Sequence, residues 1–336
     1  MTSFWRSPLA IGRRLSQRVL PTGPLGAIPD PSTDFTRHGF IRRTLPTGAG
    51  VLTYYEAGQG TPLVFLHGIG GGASAWVWSK VAPAFQHRYR VIVPDWVGWG
   101  NSEHPARPLV FEDYVHELEA LLIHLGAPAT VVTQGQAFGF AAELARTQGF
   151  RFLRLLMFTP TGGRDFGIDS FPPAFRVFEP WLRARPLSHW LYRLVFHRAA
   201  FIRDYFTRQG FLDPHAVSRA TVQATLYSAR QPNAAYAALP FLTGELRFDA
   251  IPYLRDLKVP ASMVWNEDEP LYGPGWTDRL AGVNPLVPLT LFPAAKSTPQ
   301  LEWPGQTIAL IDQLLPHQES TLGVCIVFPN NLDRTQ

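Results

Sequence analysis

The stretch VVTQGQAFGFAAELA, from Val131 to Ala145, has the residue pattern of a buried strand, a glycine turn and a helix. A turn of this kind can expose a catalytic nucleophile at the end of a sheet. Here the stretch contains no serine, cysteine or aspartate. Chemistry at this turn would have to come from backbone amides, from Gln134 and Gln136, or from residues elsewhere in the chain.

A second candidate is the run HGIGGG, in which Gly68 and Gly70–Gly72 follow a strand-like apolar segment. Glycines let backbone amides approach an oxygen atom closely, and such amides can stabilise a developing negative charge. A purely structural glycine turn is the alternative interpretation. His67, His104 and Asp95 also lie near the ends of predicted strands, and for each of them a structural role is favoured over a catalytic one.

The composition is that of a folded globular protein, because 46% of the 336 residues are hydrophobic and 17% are charged. The net charge of +4 is small, and no nucleic-acid-binding motif is present, so we expect no nucleic-acid partner. The single cysteine, Cys325, offers no thiolate cluster. We therefore expect neither a metal nor a cofactor, and a cytoplasmic protein without a spanning segment.

Short apolar runs bounded by turn residues alternate with helix-compatible segments. This alternation predicts an α/β fold with a mostly parallel sheet and helices on both faces. The clearest helix runs from Phe111 to Leu125, where apolar residues recur every three or four positions before Gly126. The predicted strands are GFIRRTL, GVLTYYEAG, PLVFLHG, YRVIVPD, ATVVTQ, RLLMFTP, ASMVWNE and PLTLFPA.

The strand pattern stops between residues 161 and 249, where aromatic and arginine-rich sequence predicts an inserted helical lid. We therefore divide the chain into a basic N-terminal arm (1–35), a first part of the sheet core (36–160), the lid (161–249), a second part of the core (250–317) and a C-terminal tail (318–336). The tail has no assigned role.

The segments VFLHGIGGGASAW and VIVPDWVGWGNSEHP resemble the α/β-hydrolase superfamily, in the lidded branch of epoxide hydrolases, haloalkane dehalogenases and carbon–carbon bond hydrolases. The resemblance implies that backbone amides in the glycine-rich loop and after the strand-to-helix turn face a substrate oxygen. Gly68, Ile69, Gly70 and Gln136 are then the expected oxyanion and ligand-binding positions. It also implies that the loop Asp95–Ser102 braces the pocket.

The resemblance further implies a nucleophile at the strand-to-helix turn, and two alignments place it differently. A search for G-x-S-x-G centres on Ala137. The spacing to the downstream ELA segment instead places Thr133, Gln134 and Gly135 at the family's Gly-His-Ser positions. We favour Gly135, because glycine adopts the strained backbone conformation of such a turn without cost.

The acid and the base of the family's triad are sought in the same way after the last two strands. Glu269 takes the acid position, with Asp268 as a competitor. Ser297 takes the position of the histidine, and Lys296 is its neighbour. Two of the three positions lack the usual residue, which predicts a naturally degenerate triad and a function other than ordinary serine hydrolysis.

The function that this pattern favours is recognition or non-hydrolytic processing of an apolar, oxygen-bearing small molecule, of lipid or isoprenoid type, beneath the lid. An active hydrolase or lyase with a non-standard catalytic set, such as a water activated by Glu269 or Asp95, is one alternative. An assembly partner of a membrane complex is another. Fold alone does not choose among them.

Aromatic residues in the predicted lid supply more ring surface than a small polar ligand needs, although they could equally form the lid's own core. The N-terminal arm has several arginines and no acid before Asp30, which predicts weak peripheral binding to a membrane surface; a loosely packed terminus is the alternative. The lid aromatics are Phe171, Phe175, Phe178, Trp181, Trp190, Tyr192, Phe196, Phe201, Tyr205 and Phe206.

Overall fold

The computed structural model of the protein describes residues 28–163, 185–269 and 276–315. Several predictions fall outside these ranges: the basic part of the arm up to residue 27, the lid segment 164–184 with four of the ten lid aromatics named above, and the tail from residue 316. The predicted boundaries of the five segments therefore stay predictions.

One eight-stranded sheet forms the centre of the fold, with strand order β1-β2-β4-β3-β5-β6-β7-β8. The first two strands pair antiparallel with their neighbours, and the other pairs are parallel. The predicted fold class is thereby confirmed. The strands are β1 (Ile41–Pro46), β2 (Val51–Ala57), β3 (Pro62–Leu66), β4 (Arg90–Asp95), β5 (Ala129–Gln134), β6 (Phe152–Phe158), β7 (Ala261–Asn266) and β8 (Leu289–Phe292).

Helices of the described ranges cover the sheet and fill the interval between β6 and β7. They are α1 (Ser32–Arg37), α2 (Phe111–Leu125), α3 (Ala137–Gln148), α4 (Arg185–Phe196), α5 (Ala199–Tyr205), α6 (Arg219–Ala229), α7 (Ala234–Thr243), α8 (Ala250–Arg255), α9 (Trp276–Ala281), α10 (Pro299–Glu302) and α11 (Pro304–Leu314). A π-helical turn, Phe206–Gly210, follows α5. The part of the chain from α4 to α7 is called the helical insertion below.

The strands bury both faces because successive side chains point to opposite sides of the sheet. In β3, Val64 and Leu66 join the core beneath α2 and α3, whereas Leu63 and Phe65 join the core beneath α1 and α11. Both faces of the central strands therefore have to be apolar, which is why these runs are continuous rather than alternating.

Helix α2 shows how the sequence sets a boundary. Its residues Tyr114, Leu118, Leu121 and Leu125 are buried along one face, and Gly126 ends the helix with a φ of 73°. That left-handed conformation costs glycine little, so the helix stops where the sequence predicts. Within the described ranges, no helix combines the length and the apolar character that crossing a bilayer requires.

Candidate functional site

Gly135 lies at the tight turn between β5 and α3. Its φ is 55°, and its amide donates a hydrogen bond to the carbonyl oxygen of Phe158, 2.9 Å away. Among the described residues, a Cβ atom built on Gly135 would meet only the Thr161 Cγ2 atom, at 3.9 Å. The described part of the chain therefore leaves room for a small side chain at this turn.

Ala137 occupies a different environment. It is the first residue of α3 and is fully buried. A side chain at this position points into the helix packing rather than to the tip of the turn. Gly135 rather than Ala137 therefore lies at the tip of the turn, and the identification of Gly135 with a lost nucleophile stays a prediction.

The glycine-rich loop lies directly beside this turn, because β3 and β5 are parallel neighbours with Leu66 opposite Thr133. A Cβ atom on Gly68 would lie 3.1 Å from the carbonyl oxygen of Gln134, so a larger residue would require the two loops to move slightly apart. The backbone amides of Ile69 and Gln136 make no hydrogen bond within the part of the chain that the structure describes. They are therefore available as donors to a ligand oxygen.

The side chain of Gln136 does not face the surface. It is 3% exposed, and its Nε2 atom donates to the carbonyl oxygen of Gly162 at 3.0 Å. The Oε1 atom is buried without a partner among the described residues. Gln136 can thus serve the site through its backbone amide, while its side chain ties α3 to the chain that follows β6.

Glu269 and Ser297 are brought together by the loops after β7 and β8. The Ser297 hydroxyl lies 3.0 Å from the Glu269 Oε1 atom and 3.1 Å from the carbonyl oxygen of Gln209. A hydroxyl has one proton, so it donates to one of these acceptors at a time or shares the proton between them. Glu269 is buried, with 6% exposed, whereas Asp268 is exposed, so Glu269 is the better candidate acid.

Gln134 joins this pair to the glycine turn. Its Nε2 atom donates to the carbonyl oxygen of Ser297 at 3.0 Å. The three predicted triad positions therefore lie on neighbouring loops at the carboxyl ends of the strands, where ligands bind in sheets of this type. Lys296 is directed elsewhere, since its Nζ atom donates to the carbonyl oxygen of Arg208 at 3.0 Å.

The π-helical turn of the insertion is hydrogen-bonded to the loop after β8 that carries Ser297. Its carbonyl oxygens at Gln209 and Gly210 accept from the amides of Ser297 and Thr298, at 3.4 and 3.1 Å. Although 40% of the Tyr205 surface is exposed, desolvation of its hydroxyl and, secondly, the negative charge of Glu269 raise the pKa of Tyr205 to about 12. That hydroxyl keeps its proton at neutral pH. The hydrogen bonds from Ser297 and Thr298 to the π-helical turn were not predictable from the sequence, because every residue type has a backbone carbonyl.

His67 is occupied by structural contacts. It is fully buried, and its Nε2 atom accepts from the Trp96 amide at 3.1 Å, so the Nδ1 atom carries the proton that is donated to the Gly68 carbonyl oxygen, 2.7 Å away. Burial lowers the pKa of His67 to about 4. The imidazole is therefore neutral and holds β3, β4 and the glycine-rich loop together.

Asp95 braces the loop after β4. Its carboxylate accepts from the amides of Ala75 and Asn101, at 2.6 and 2.9 Å, and from the Tyr55 hydroxyl at 3.2 Å. Burial raises the pKa of Asp95 to about 6 although these hydrogen bonds oppose the shift. This network agrees with a structural role. Burial also lowers the pKa of His104, whose Nε2 atom contacts the Gly100 carbonyl oxygen.

The helical insertion covers the glycine-rich loop. A Cβ atom on Gly71 would lie 2.2 Å from the Phe196 ring, and one on Gly72 would lie 2.3 Å from the carbonyl oxygen of Thr225. The Ser228 hydroxyl donates to the carbonyl oxygen of Ala73 at 2.8 Å. These contacts place α4 and α6 directly over the candidate site.

The described aromatic residues of the insertion differ in burial. Tyr192 and Phe206 are buried in apolar clusters, which agrees with packing, whereas Trp190 and Tyr205 are exposed. Phe196 lies against the loop next to the site. Among residues 28–163, 185–269 and 276–315, no three histidine, cysteine or acidic side chains are grouped so that they could hold a metal ion.

The sequence profile described as "Alpha/beta hydrolase family" matches residues 63–309, which is most of the chain. The chain belongs to the alpha/beta hydrolase family. Among solved structures, the epoxide hydrolase CorEH without ligand superimposes with a TM-score of 0.66 at 20% identity, covering 82% of this chain and 98% of that one. This likeness shows the fold alone.

Two sequence relatives are more similar over shorter stretches. The 2-hydroxymuconate semialdehyde hydrolase of Pseudomonas sp. (strain CF600) is 36% identical over 34% of this chain and 42% of its own length. The 2-hydroxy-6-oxo-2,4-heptadienoate hydrolase of Pseudomonas putida (strain F1) is 32% identical over 42% of this chain and 51% of its own length. The match thus spans about half the length of these relatives or less. The haloalkane dehalogenase 2 of Mycobacterium bovis is 23% identical over 83% of this chain and 98% of its length.

Proposed function

We propose that this chain binds an apolar, oxygen-bearing small molecule without forming a covalent intermediate. The binding site lies between the glycine-rich loop, the Gly135 turn, the Glu269–Ser297 pair and the helical insertion. One observation carries the proposal. Gly135 has no side chain, and among the described residues only the Thr161 Cγ2 atom comes within 4 Å of the place where its Cβ atom would lie, so these residues leave room for a ligand atom at the place from which a nucleophile would attack.

The polar groups around that space suit a carbonyl or hydroxyl oxygen. The amides of Ile69 and Gln136 are uncharged donors on adjacent loops, and neither is used by another described residue. Glu269 provides a carboxylate acceptor, and the Ser297 hydroxyl, whose proton is directed at Glu269 or at the Gln209 carbonyl oxygen, can accept a hydrogen bond from a ligand hydroxyl. Binding sites with a few placed polar groups and apolar walls are typical for such ligands.

The absence of a nucleophile has a large expected effect on chemistry. Removing a serine–histidine mechanism costs on the order of 10⁶ in turnover, or about 8 kcal/mol of barrier. Neither Gly135 nor Ala137 can form an acyl-enzyme intermediate. Ligand binding therefore remains as the activity that the loops can perform without these residues.

The test places a large side chain in the proposed binding site, at a position where the added atoms meet no steric obstacle among the described residues. A Cβ atom on Gly70 would meet no atom of a described residue within 4 Å, and the same holds for Gly48, which lies in the turn between β1 and β2. The variant Gly70→Trp is expected to abolish binding of a fluorescent long-chain naphthyl ketone, while Gly48→Trp binds it as the unchanged protein does. Equal binding by Gly70→Trp, or no binding by the unchanged protein, would contradict the proposal.

A second candidate function is hydrolysis by a water molecule that Glu269 activates. The buried carboxylate and its contact with Ser297 favour it, and so do the hydrolase names of the relatives. The variant Glu269→Gln would then abolish turnover of an activated ester, whereas the matched variant Asp268→Asn would leave it unchanged. Absence of ester turnover in the unchanged protein would reject this candidate.

A further inference from the structure

Helix α4 has apolar residues on two different sides. Ser188 and Tyr192 are buried on the inner side, where the Tyr192 hydroxyl donates to the carbonyl oxygen of Ala229 at 3.2 Å. A second apolar set recurs at helical spacing on another side of the helix. This outer stripe consists of Leu187, Trp190, Leu191 and Leu194.

The outer stripe is accessible to solvent. Trp190 is 57% exposed and Leu194 is 38% exposed. Leu187 and Leu191 are half-buried, so Trp190 and Leu194 form the exposed part of the stripe. Contiguous exposed apolar surface of this kind marks an interaction site.

The charged residues next to the outer stripe indicate the kind of surface that it binds. No aspartate or glutamate occurs between residues 185 and 203, whereas Arg193 and Arg198 are exposed. Cationic side chains next to an apolar stripe with an exposed tryptophan match a partner with negatively charged groups at its surface and an apolar layer below them. A bilayer with anionic lipids has this arrangement.

We propose that the outer stripe of α4 docks on a bilayer that contains anionic lipid. Trp190 and Leu194 enter the boundary between headgroups and acyl chains, and Arg193 and Arg198 lie near the lipid phosphates. This surface is independent of the proposed binding function. It also has a consequence for the site, because α4 ends at Phe196, whose ring lies on Gly71 of the glycine-rich loop.

The test is flotation of the full-length protein with vesicles of phosphatidylcholine alone or of phosphatidylcholine with phosphatidylglycerol. Binding is expected only with the anionic vesicles, and high salt should weaken it. The double variant Trp190→Ala, Leu194→Ala should lower the partition constant by about tenfold or more, since two half-exposed apolar side chains lose their lipid contact.

The matched control removes an aromatic and an arginine at the opposite end of the sheet. Phe150 is 72% exposed, and the Arg151 guanidinium lies 4.9 Å from its ring centroid. The variant Phe150→Ala, Arg151→Ala should bind anionic vesicles as strongly as the unchanged protein. An equal loss in both double variants, or no loss in the α4 variant, would overturn the proposal, as would absence of vesicle binding.

Two further measurements locate the contact. The variant Arg193→Glu, Arg198→Glu should lose about thirtyfold or more in binding to anionic vesicles, because each lost positive charge near the surface contributes about 1 kcal/mol and the new negative charges are repelled. A polarity-sensitive fluorophore on Leu194→Cys, in a Cys325→Ser chain, should shift to the blue with anionic vesicles, while the same label on Phe150→Cys should not. If charge reversal of Arg13, Arg14 and Arg18 abolished binding while the α4 variants bound normally, the arm would be the docking site and the proposal would be wrong.

Discussion

Alanine substitution at two glycines measures whether the space in front of the Gly135 turn is open. Gly135 and Gly100 have nearly the same backbone conformation, with φ values of 55° and 52°. An L-residue in this left-handed region costs about 1–2 kcal/mol, so the backbone contribution is the same at both positions. The two glycines differ in what a new Cβ atom would meet.

At Gly135 the nearest atom would be the Thr161 Cγ2 atom at 3.9 Å, an ordinary contact. At Gly100 the Cβ atom would lie 2.1 Å from the Asp95 Oδ1 atom. That carboxylate holds the amides of Ala75 and Asn101, and displacing it breaks buried hydrogen bonds. We expect Gly135→Ala to lower the free energy of unfolding by about 1 kcal/mol and Gly100→Ala by about 4 kcal/mol.

The assay is urea unfolding at neutral pH, followed by far-ultraviolet circular dichroism and tryptophan fluorescence. The difference in the free energy of unfolding between the two variants measures the steric cost of the added Cβ atom, because the backbone cost is the same in both. A loss at Gly135 as large as the loss at Gly100 would show that a side chain has no room at the turn, and the assignment of an open ligand site there would be refuted.

Three further outcomes follow from individual contacts. The folded pKa of Asp95, about 6, lies above its unfolded value of 3.8, so its contribution to stability is complete at low pH and is lost as the pH rises through 6. The free energy of unfolding of the unchanged protein, compared with that of Asp95→Asn at the same pH, should thus fall by about 3 kcal/mol between about pH 4 and about pH 7. If urea unfolding gave the same difference between the two proteins at every pH, this prediction would be wrong. Gly71→Ala should destabilise the protein by about 2 kcal/mol because its Cβ atom would overlap the Phe196 ring, whereas Gly70→Ala should cost less than about 0.5 kcal/mol; equal unfolding midpoints would speak against the position of α4. The unchanged protein should show negligible turnover of short activated esters, and turnover near one per second that disappears in Gly70→Trp would disprove this.

The fold was accessible from the sequence because its signals are local. Continuous apolar runs predict strands that are buried on both faces, and all eight lie where the structure has them. The end of α2 was equally accessible, since Gly126 supplies a left-handed residue that other types adopt at a cost. Neither inference needs knowledge of distant contacts.

The site was accessible only in part. The spacing to the ELA segment favoured Gly135 over Ala137 as the residue at the tip of the turn. The positions of Glu269 and Ser297 after the last two strands predicted that both lie at the carboxyl ends of the sheet. The choice between Glu269 and Asp268 needed burial, which the sequence does not carry. The hydrogen bonds from the loop at Ser297 to the carbonyl oxygens of the π-helical turn were not predictable, because any residue type supplies a carbonyl. The assignment of these positions to a degenerate triad stays a prediction.

Labelling with a fluorophosphonate, followed by intact-protein mass spectrometry, tests the central claim most directly. This reagent forms a covalent bond only with an activated nucleophile. The account predicts no adduct on the unchanged protein or on Ala137→Ser, and an adduct on the double variant Gly135→Ser, Ser297→His, whose new hydroxyl and imidazole lie on neighbouring loops. An adduct on the unchanged protein, or labelling of Ala137→Ser without labelling of the double variant, would contradict it.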